Sequence, residues 1–339
     1  MDVLLPENET CCQGISPTLR RRQGWGLVNH GSQLDYLDMT SFDIKPSGAA
    51  LGAEISGIDL SSDVSREVAD ALCDAWHKHL VLLFRDQSLD DSALLKASSI
   101  FGPVQEGGAQ KYFRKGGFKK GTSLLADYPE ITVVSNLDER GNPVRKNAGL
   151  GSGEVVWHSD NSYIEKPPAG SMLYAIDIPD GGGGDTSFAN QYLAYESLPE
   201  IMRIAVQGKL QLHDSSRNSA GVLRPTAKLP ATPEEVEGPV HPLVRIHPAT
   251  RKKALYLGRR RVWPSNYILG MPNERSEALL DRLWRHATQD DYTWTHKWRP
   301  GDVLLWDNRC ALHHRTEVDH ARPRILHRTQ IQGETIIPG

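Results

Sequence analysis

The feature that most limits what this chain can fold into is a series of short β-branched or aromatic runs, each closed by a Gly- or Pro-containing turn. They fall at residues 131–134, 171–176, 243–246, 254–257, 292–295 and 302–306. Runs this short, without regular alternation of strand and helix, do not suit a parallel sheet, whose crossovers need a dozen or more residues. They favour a mainly β domain with flanking helices, built as a double-stranded β-helix of the jelly-roll, cupin-like kind. Two helices interrupt the series. One is expected near residues 192–207 and one near 274–288, the second with Ala278, Leu279, Arg282, Leu283 and His286 at helical offsets. Ahead of the strands, Ser61-Ser62-Asp63 reads as a helix start followed by Val68, Leu72, Ala75 and Trp76. Residues 80–84 read as a buried strand, and Asp90 or Asp91 as the cap of a second helix ending near Phe101-Gly102-Pro103.

Residues 1–38 carry little hydrophobic periodicity and are expected to form a poorly ordered extension, with residues 39–339 as a single domain. A chain of 339 residues has ample length for a buried core. Residues 107–120 are rich in glycine and lysine, with Tyr112, Phe113 and Phe118 interleaved, and are expected to be a mobile loop. The 39 Lys and Arg against 42 Asp and Glu leave a net charge of -3, so no global positive field exists to hold nucleic acid or anionic lipid. No apolar run approaches the roughly 20 residues of a membrane helix, and the N-terminus reads as neither a basic n-region nor an apolar h-region. The expectation is a cytoplasmic protein with no nucleic-acid or membrane partner, homo-oligomer formation being left open. Four cysteines, Cys11, Cys12, Cys73 and Cys310, include no C-x-x-C pair, so neither a disulfide framework nor a zinc–cysteine site is indicated.

The chemistry concentrates in Trp157-His158-Ser159-Asp160-Asn161-Ser162-Tyr163. In an extended strand His158 and Asp160 leave the same face and can converge on one ion. A second histidine from a neighbouring strand would complete the site, and His313 and His314 in Leu312-His313-His314 are the candidates. Two histidines and one carboxylate make the facial triad of non-haem Fe(II) oxygenases, which leaves open positions on the metal. An isolated H-x-D occurs often by chance, so its company decides. Twenty-five residues separate Asp160 from Thr186, 126 separate Thr186 from His313, and ten separate His313 from Arg324.

This order and spacing resemble the taurine and 2,4-dichlorophenoxyacetate dioxygenase family, over roughly residues 42–335. Further matching pieces are Leu82-Leu83-Phe84-Arg85-Asp86-Gln87, Phe101-Gly102-Pro103, Gly183-Gly184-Asp185-Thr186, His286-Ala287-Thr288-Gln289 and Trp306-Asp307-Asn308-Arg309. The resemblance implies an Fe(II)- and 2-oxoglutarate-dependent dioxygenase that consumes O2 and hydroxylates a small organic anion, releasing succinate and CO2. It implies that His158, Asp160 and His313 bind the metal, with His314 as the alternative ligand. Arg324 and Thr186 would hold the distal carboxylate of 2-oxoglutarate, a guanidinium fork suiting two-point contact. Arg328 would bind substrate or help hold the cosubstrate. Taken alone, Arg309, Arg315, Arg322, Arg324 and Arg328 would read as a solvated basic face.

Glu106-Gly107-Gly108-Ala109-Gln110-Lys111 looks like the phenoxyacetate branch, and no His follows Phe101-Gly102-Pro103 as it does in taurine dioxygenases. The expected substrate is therefore an aryloxyalkanoate-like carboxylate cleaved at its ether, with Lys111, Arg328 and Ser162 as substrate-binding candidates. An alkyl sulfonate, sulfate ester or secondary-metabolite acid is the alternative. A reading of another class is a zinc or manganese hydrolase on a cupin-like barrel, and a metal-free binding protein is a third.

Overall fold

A computed structural model describes residues 42–107, 125–146, 151–181, 183–217, 223–224, 227–258 and 263–339. The expected extension, and the expected mobile loop after Gly107, lie outside the described residues. Among the described residues the fold is mostly β with few helices, and no helix is long and apolar enough to cross a membrane.

The first helix, Arg66–His79, starts at Ser65, whose hydroxyl accepts from the Val68 N–H, and ends at Leu80 in the left-handed conformation with φ 65°. It begins later than the Ser61-Ser62-Asp63 reading. The Asp59 carboxylate accepts from the Ser61 N–H at 2.9 Å and the Ser62 hydroxyl at 3.2 Å, which commits those residues to a turn instead. The second helix, Asp91–Ser99, is capped by Asp90 as the sequence indicates. The single helix expected over 192–207 is two, Gln191–Glu196 and Glu200–Val206. Pro199 separates them at φ -53°, ψ 142°, since its ring and missing N–H do not allow a helix to run through it. The last helix, Asn273–Ala287, forms as expected.

Among the described residues the strands form four sheets, two of them three-stranded, and the other two position the site. The larger has the order Asp43–Pro46, Ala53–Ser56, Val81–Phe84, Val303–Asp307, Gly170–Asp177, Ile325–Ile331, Thr132–Ser135. The smaller has the order Thr293–His296, Thr186–Asn190, Ala311–Arg315, Val155–His158. Within the large sheet, residues alternate between two cores with the period of the strand. Val81, Leu83, Leu304 and Trp306 pack with Phe188 and Ala311 of the small sheet, so this core lies between the sheets. Leu82, Phe84, Val303 and Leu305 pack on the other side with Leu72 and Trp76 of the first helix and Leu94 of the second. The small sheet is covered on its outer face as well, where Ala189 and Leu312 meet Leu280 and Leu283 of Asn273–Ala287. Its inner face is thereby enclosed, and that is where the polar residues of interest lie.

One contact in this packing leaves no slack. A Cβ on Gly170, at the start of a central strand, would lie 2.5 Å from Trp76 Cζ2 and 3.0 Å from the Trp306 carbonyl, and Trp76 is fully buried. Gly170→Ala is expected to cost about 1–3 kcal/mol, read as a lower urea midpoint at unchanged slope; an unchanged midpoint would show that the indole yields. Burial also sets a pH dependence. It pushes the His77 imidazole down to about 4, against the raising effect of Asp307. Below about 6.5 the unfolded chain takes up a proton that the folded chain refuses until about 4, so stability present above 6.5 falls as pH drops through that window. His77→Gln is expected to flatten the pH dependence of unfolding free energy between 4 and 6.5, and parallel curves for the two proteins would remove His77 as its source.

Candidate metal and carboxylate site

Strand pairing in the small sheet sets His313 directly opposite His158, which puts both side chains on one face. Their ring centroids are 4.1 Å apart. Both Nε2 atoms point toward one oxygen, Asp160 Oδ1, at 3.6 Å from His158 and 3.8 Å from His313. The route to this arrangement differs from the sequence expectation. The strand Val155–His158 stops at His158, and Asp160 sits in the turn that follows, where Asn161 adopts φ 49°. Ser159 anchors the turn by donating from Oγ to the Asn308 carbonyl at 2.8 Å. A turn, not the strand pleat, brings the carboxylate to the imidazoles.

His314 points the other way, as strand alternation requires. It stacks on Trp157 with centroids 5.3 Å apart, and its Nε2 meets Glu154 Oε1 at 2.6 Å. It takes no part in the triad.

The protonation states suit a cation. His158 Nδ1 lies 2.8 Å from the Val156 carbonyl and donates to it, which leaves Nε2 as the ring atom turned toward Asp160. Burial, reinforced by His158, holds the His313 imidazole well below its ordinary pKa, and its ring is neutral. Burial alone would push the Asp160 carboxyl up. The Arg328 guanidinium and hydrogen bonding to His158 overcome this and keep it well below the usual carboxylate range. Arg328 Nη1 lies 3.2 Å from both Asp160 oxygens, Ser171 Oγ donates to Oδ2 at 2.7 Å, and Gln330 Nε2 lies 3.4 Å away. Neutral imidazoles and an ionised carboxylate are what a divalent transition metal binds, and the donor set fits one.

A second group of two histidines and an aspartate, His77, His247 and Asp307, is similarly compact. The backbone N–H groups of Ala249 and Thr250 donate to His247 Nδ1, so its proton sits on Nε2 and is given to Asp307 Oδ2 at 3.0 Å. Arg309 takes both Asp307 oxygens, at 2.8 and 2.7 Å. The atoms that His247 and Asp307 would offer a metal are thus already engaged, and only His77 Nε2 lacks a partner.

Thr186 and Arg324 have Trp298 as a common neighbour. Trp298 Nε1 donates to Thr186 Oγ1 at 2.9 Å, and the Trp298 ring lies 6.0 Å from the Arg324 guanidinium carbon. Because the hydroxyl oxygen already accepts from the indole, its own proton is free to be donated. Arg324 is 2% exposed, gives one bond to the Gly184 carbonyl at 3.1 Å, and its Nε is buried without a partner. Burial, together with the nearby Arg315, pushes this guanidinium down to about 9. A buried guanidinium with an idle donor fits a carboxylate.

The solvated-face reading of the arginines is corrected here. Arg309, Arg315 and Arg324 are buried, Arg328 is half-buried, and only Arg322 is exposed. Ser162 is buried two residues beyond Asp160, and Lys111 lies outside the described residues. Sequence reasoning missed Ser171, Gln330, Trp298 and Arg315. Strand alternation could have found two of them, since Gln330 is two residues from Arg328 and Arg315 two from His313. Nothing in one dimension marks Ser171 or Trp298.

Residues 43–330 match the taurine catabolism dioxygenase TauD, TfdA family. Pentalenolactone F synthase of Streptomyces avermitilis is 30% identical over 295 residues, 82% of this chain and 90% of the relative. The (S)-phenoxypropionate/alpha-ketoglutarate-dioxygenase of Sphingobium herbicidovorans is 32% identical over 303 residues, 87% of this chain and 96% of the relative. AAD-2, solved in complex with Mn(II) and N-oxalylglycine, superposes with a TM-score of 0.67 at 26% identity, covering 87% of this chain and 98% of that one. With a buried two-histidine, one-carboxylate cluster and a match over most of its length, the chain belongs to the TauD/TfdA family and is an Fe(II)- and 2-oxoglutarate-dependent dioxygenase.

Proposed function

We propose that His158, Asp160 and His313 are the iron ligands, that Thr186 and Arg324 hold the distal carboxylate of 2-oxoglutarate, and that Arg328 and Ser162 bind an anionic substrate. The observation that carries this reading is a buried triad within the same sheets as a buried guanidinium that has no carboxylate within ion-pair distance among the described residues. A hydrolase using the same three ligands has no use for such a guanidinium. When bound, iron and 2-oxoglutarate would activate O2, the oxidant: 2-oxoglutarate would give up two electrons and CO2 and take one oxygen atom to become succinate, leaving the other oxygen atom for hydroxylation of the substrate. The protein's residues do the positioning. Asp160 is kept ionised and oriented by Ser171, Gln330 and Arg328, and Thr186 has its proton turned outward by Trp298. Enclosure between the sheets excludes water.

For the substrate we favour an aryloxyalkanoate. Hydroxylation at the carbon bearing the ether oxygen gives a hemiacetal, which collapses to a phenol and an oxo acid. The supports are the name of the Sphingobium relative and the half-buried Arg328, whose Nε is buried without a partner. Lys111 is the sequence's candidate for a second cation on the substrate. A sulfonate, sulfate ester or secondary-metabolite acid would offer an anion to the same guanidinium. We read the two sheets as a double-stranded β-helix and residues 39–339 as one domain, with residues 1–38 outside it.

His158→Ala, Asp160→Ala and His313→Ala are each expected to lose Fe(II) binding in anaerobic titrations and 2-oxoglutarate-dependent oxygen uptake, while His314→Ala keeps both. Full activity in His313→Ala would overturn the ligand assignment. Oxygen uptake with Fe(II) and 2-oxoglutarate across aryloxy acids, sulfonates and sulfate esters tests the substrate class, a response to sulfur anions alone removing the aryloxyalkanoate. Arg328→Gln is expected to weaken the binding of the accepted substrate about ten- to a hundredfold, the loss of one charge-assisted bond, with cosubstrate affinity kept at saturating metal. The opposite pattern would move Arg328 to the cosubstrate.

A further inference from the structure

Arg315 is a buried cation that the roles above leave unused. It ends the strand Ala311–Arg315, two residues from His313, and pairs directly with Thr186 across the sheet, so its side chain leaves the same face as the Thr186 hydroxyl. It is 7% exposed. Its Nη1 donates to the Gly151 carbonyl at 3.2 Å and its Nη2 to the Gly153 carbonyl, while Nε is buried without a partner. Among the described residues it makes no ion pair, and neither does Arg324. Arg324 feels Arg315 as a like charge, which adds to burial in pushing its guanidinium down, against the raising effect of Asp185. Two buried cations that repel each other, each with an idle N–H and with one hydroxyl beside them, are an arrangement that an anion relieves.

We propose that Arg315 is a second guanidinium of the cosubstrate clamp, so that the distal carboxylate of 2-oxoglutarate is held jointly by Arg315, Arg324 and the Thr186 hydroxyl. This rests on the assignment of Thr186 and Arg324 to that carboxylate and adds a specificity consequence. The second charge acts only on oxo acids that carry the distal carboxylate, so it sets the preference for a dicarboxylate over a monocarboxylate.

The test is calorimetric binding of 2-oxoglutarate and of 2-oxobutyrate, which lacks the distal carboxylate, to the Mn(II)-loaded protein. Arg315→Gln is expected to weaken 2-oxoglutarate about ten- to a hundredfold and to leave 2-oxobutyrate, Mn(II) affinity and the circular dichroism spectrum unchanged. Arg315→Lys, which keeps the charge and loses the fork, is expected to show a smaller loss in the same direction and serves if the glutamine variant does not fold. Unchanged 2-oxoglutarate affinity in a folded variant, or equal losses for both oxo acids, would overturn the proposal and leave Arg315 a packing residue. Failure of the underlying reading looks different: the unsubstituted protein would then show no preference for 2-oxoglutarate, and Arg324→Gln no effect.

Discussion

A carboxylate at 2% exposure persists as an anion only where positive charge and donors surround it, and the satisfaction of Asp160 is what the two sheets are arranged around. Asp160 hangs from the small sheet by the turn after Val155–His158. Its compensating groups come from the large sheet, Ser171 from Gly170–Asp177 and Arg328 and Gln330 from Ile325–Ile331. Ser171 and Gln330 are direct cross-strand partners, so the register of that pairing delivers both to one carboxylate. Asn308 closes the ring: its Nδ2 donates to Ser171 Oγ at 2.9 Å, and its Oδ1 accepts from Trp306 Nε1 at 2.9 Å. A slip of one residue in either strand would turn these groups to the opposite face.

The space between the sheets is polarised as a result. Its negative charge sits at Asp160, compensated and ready for a cation. Its positive charge sits at Arg315 and Arg324, which make no ion pair among the described residues, Asp185 acting on Arg324 only from beyond ion-pair distance. The His313 imidazole is held neutral by burial and by His158, and the His158 ring is oriented by its bond to the Val156 carbonyl. A dianionic chelating oxo acid is complementary to both features, with its oxo-acid end suited to a metal and its distal end to the guanidiniums. The same burial that makes the arginines costly in the free protein makes their pairing with an anion strong.

The legibility of this site in the sequence was uneven for physical reasons. His158, Asp160, Thr186, His313 and Arg324 stood out because metal and carboxylate binding restrict residue type and spacing. Strand alternation does not place Asp160 nonetheless, since its carboxylate arrives by the turn in which Asn161 is left-handed. His314 and His313 could not be separated by type, and only their facing decided between them. Nothing near Arg315 in the sequence separates it from a solvated surface arginine, because its burial comes from Asn273–Ala287 and the large sheet, which cover both faces of its strand.

By itself, the sequence determined the strand-rich class, the helix capped at Asp90 or Asp91, and the residue types able to bind iron and a dicarboxylate. These follow from local propensity and from chemistry that few side chains can perform. Tertiary structure alone decided which arginines are buried, which hydroxyl and amide hold Asp160, and that Trp298 turns the Thr186 proton outward. Those properties depend on pairs such as Ser171 with Gln330 or Thr186 with Arg315, brought together by the register of neighbouring strands. Hydrogen bonds and charge burial depend on distance in space, which spacing along the chain does not encode.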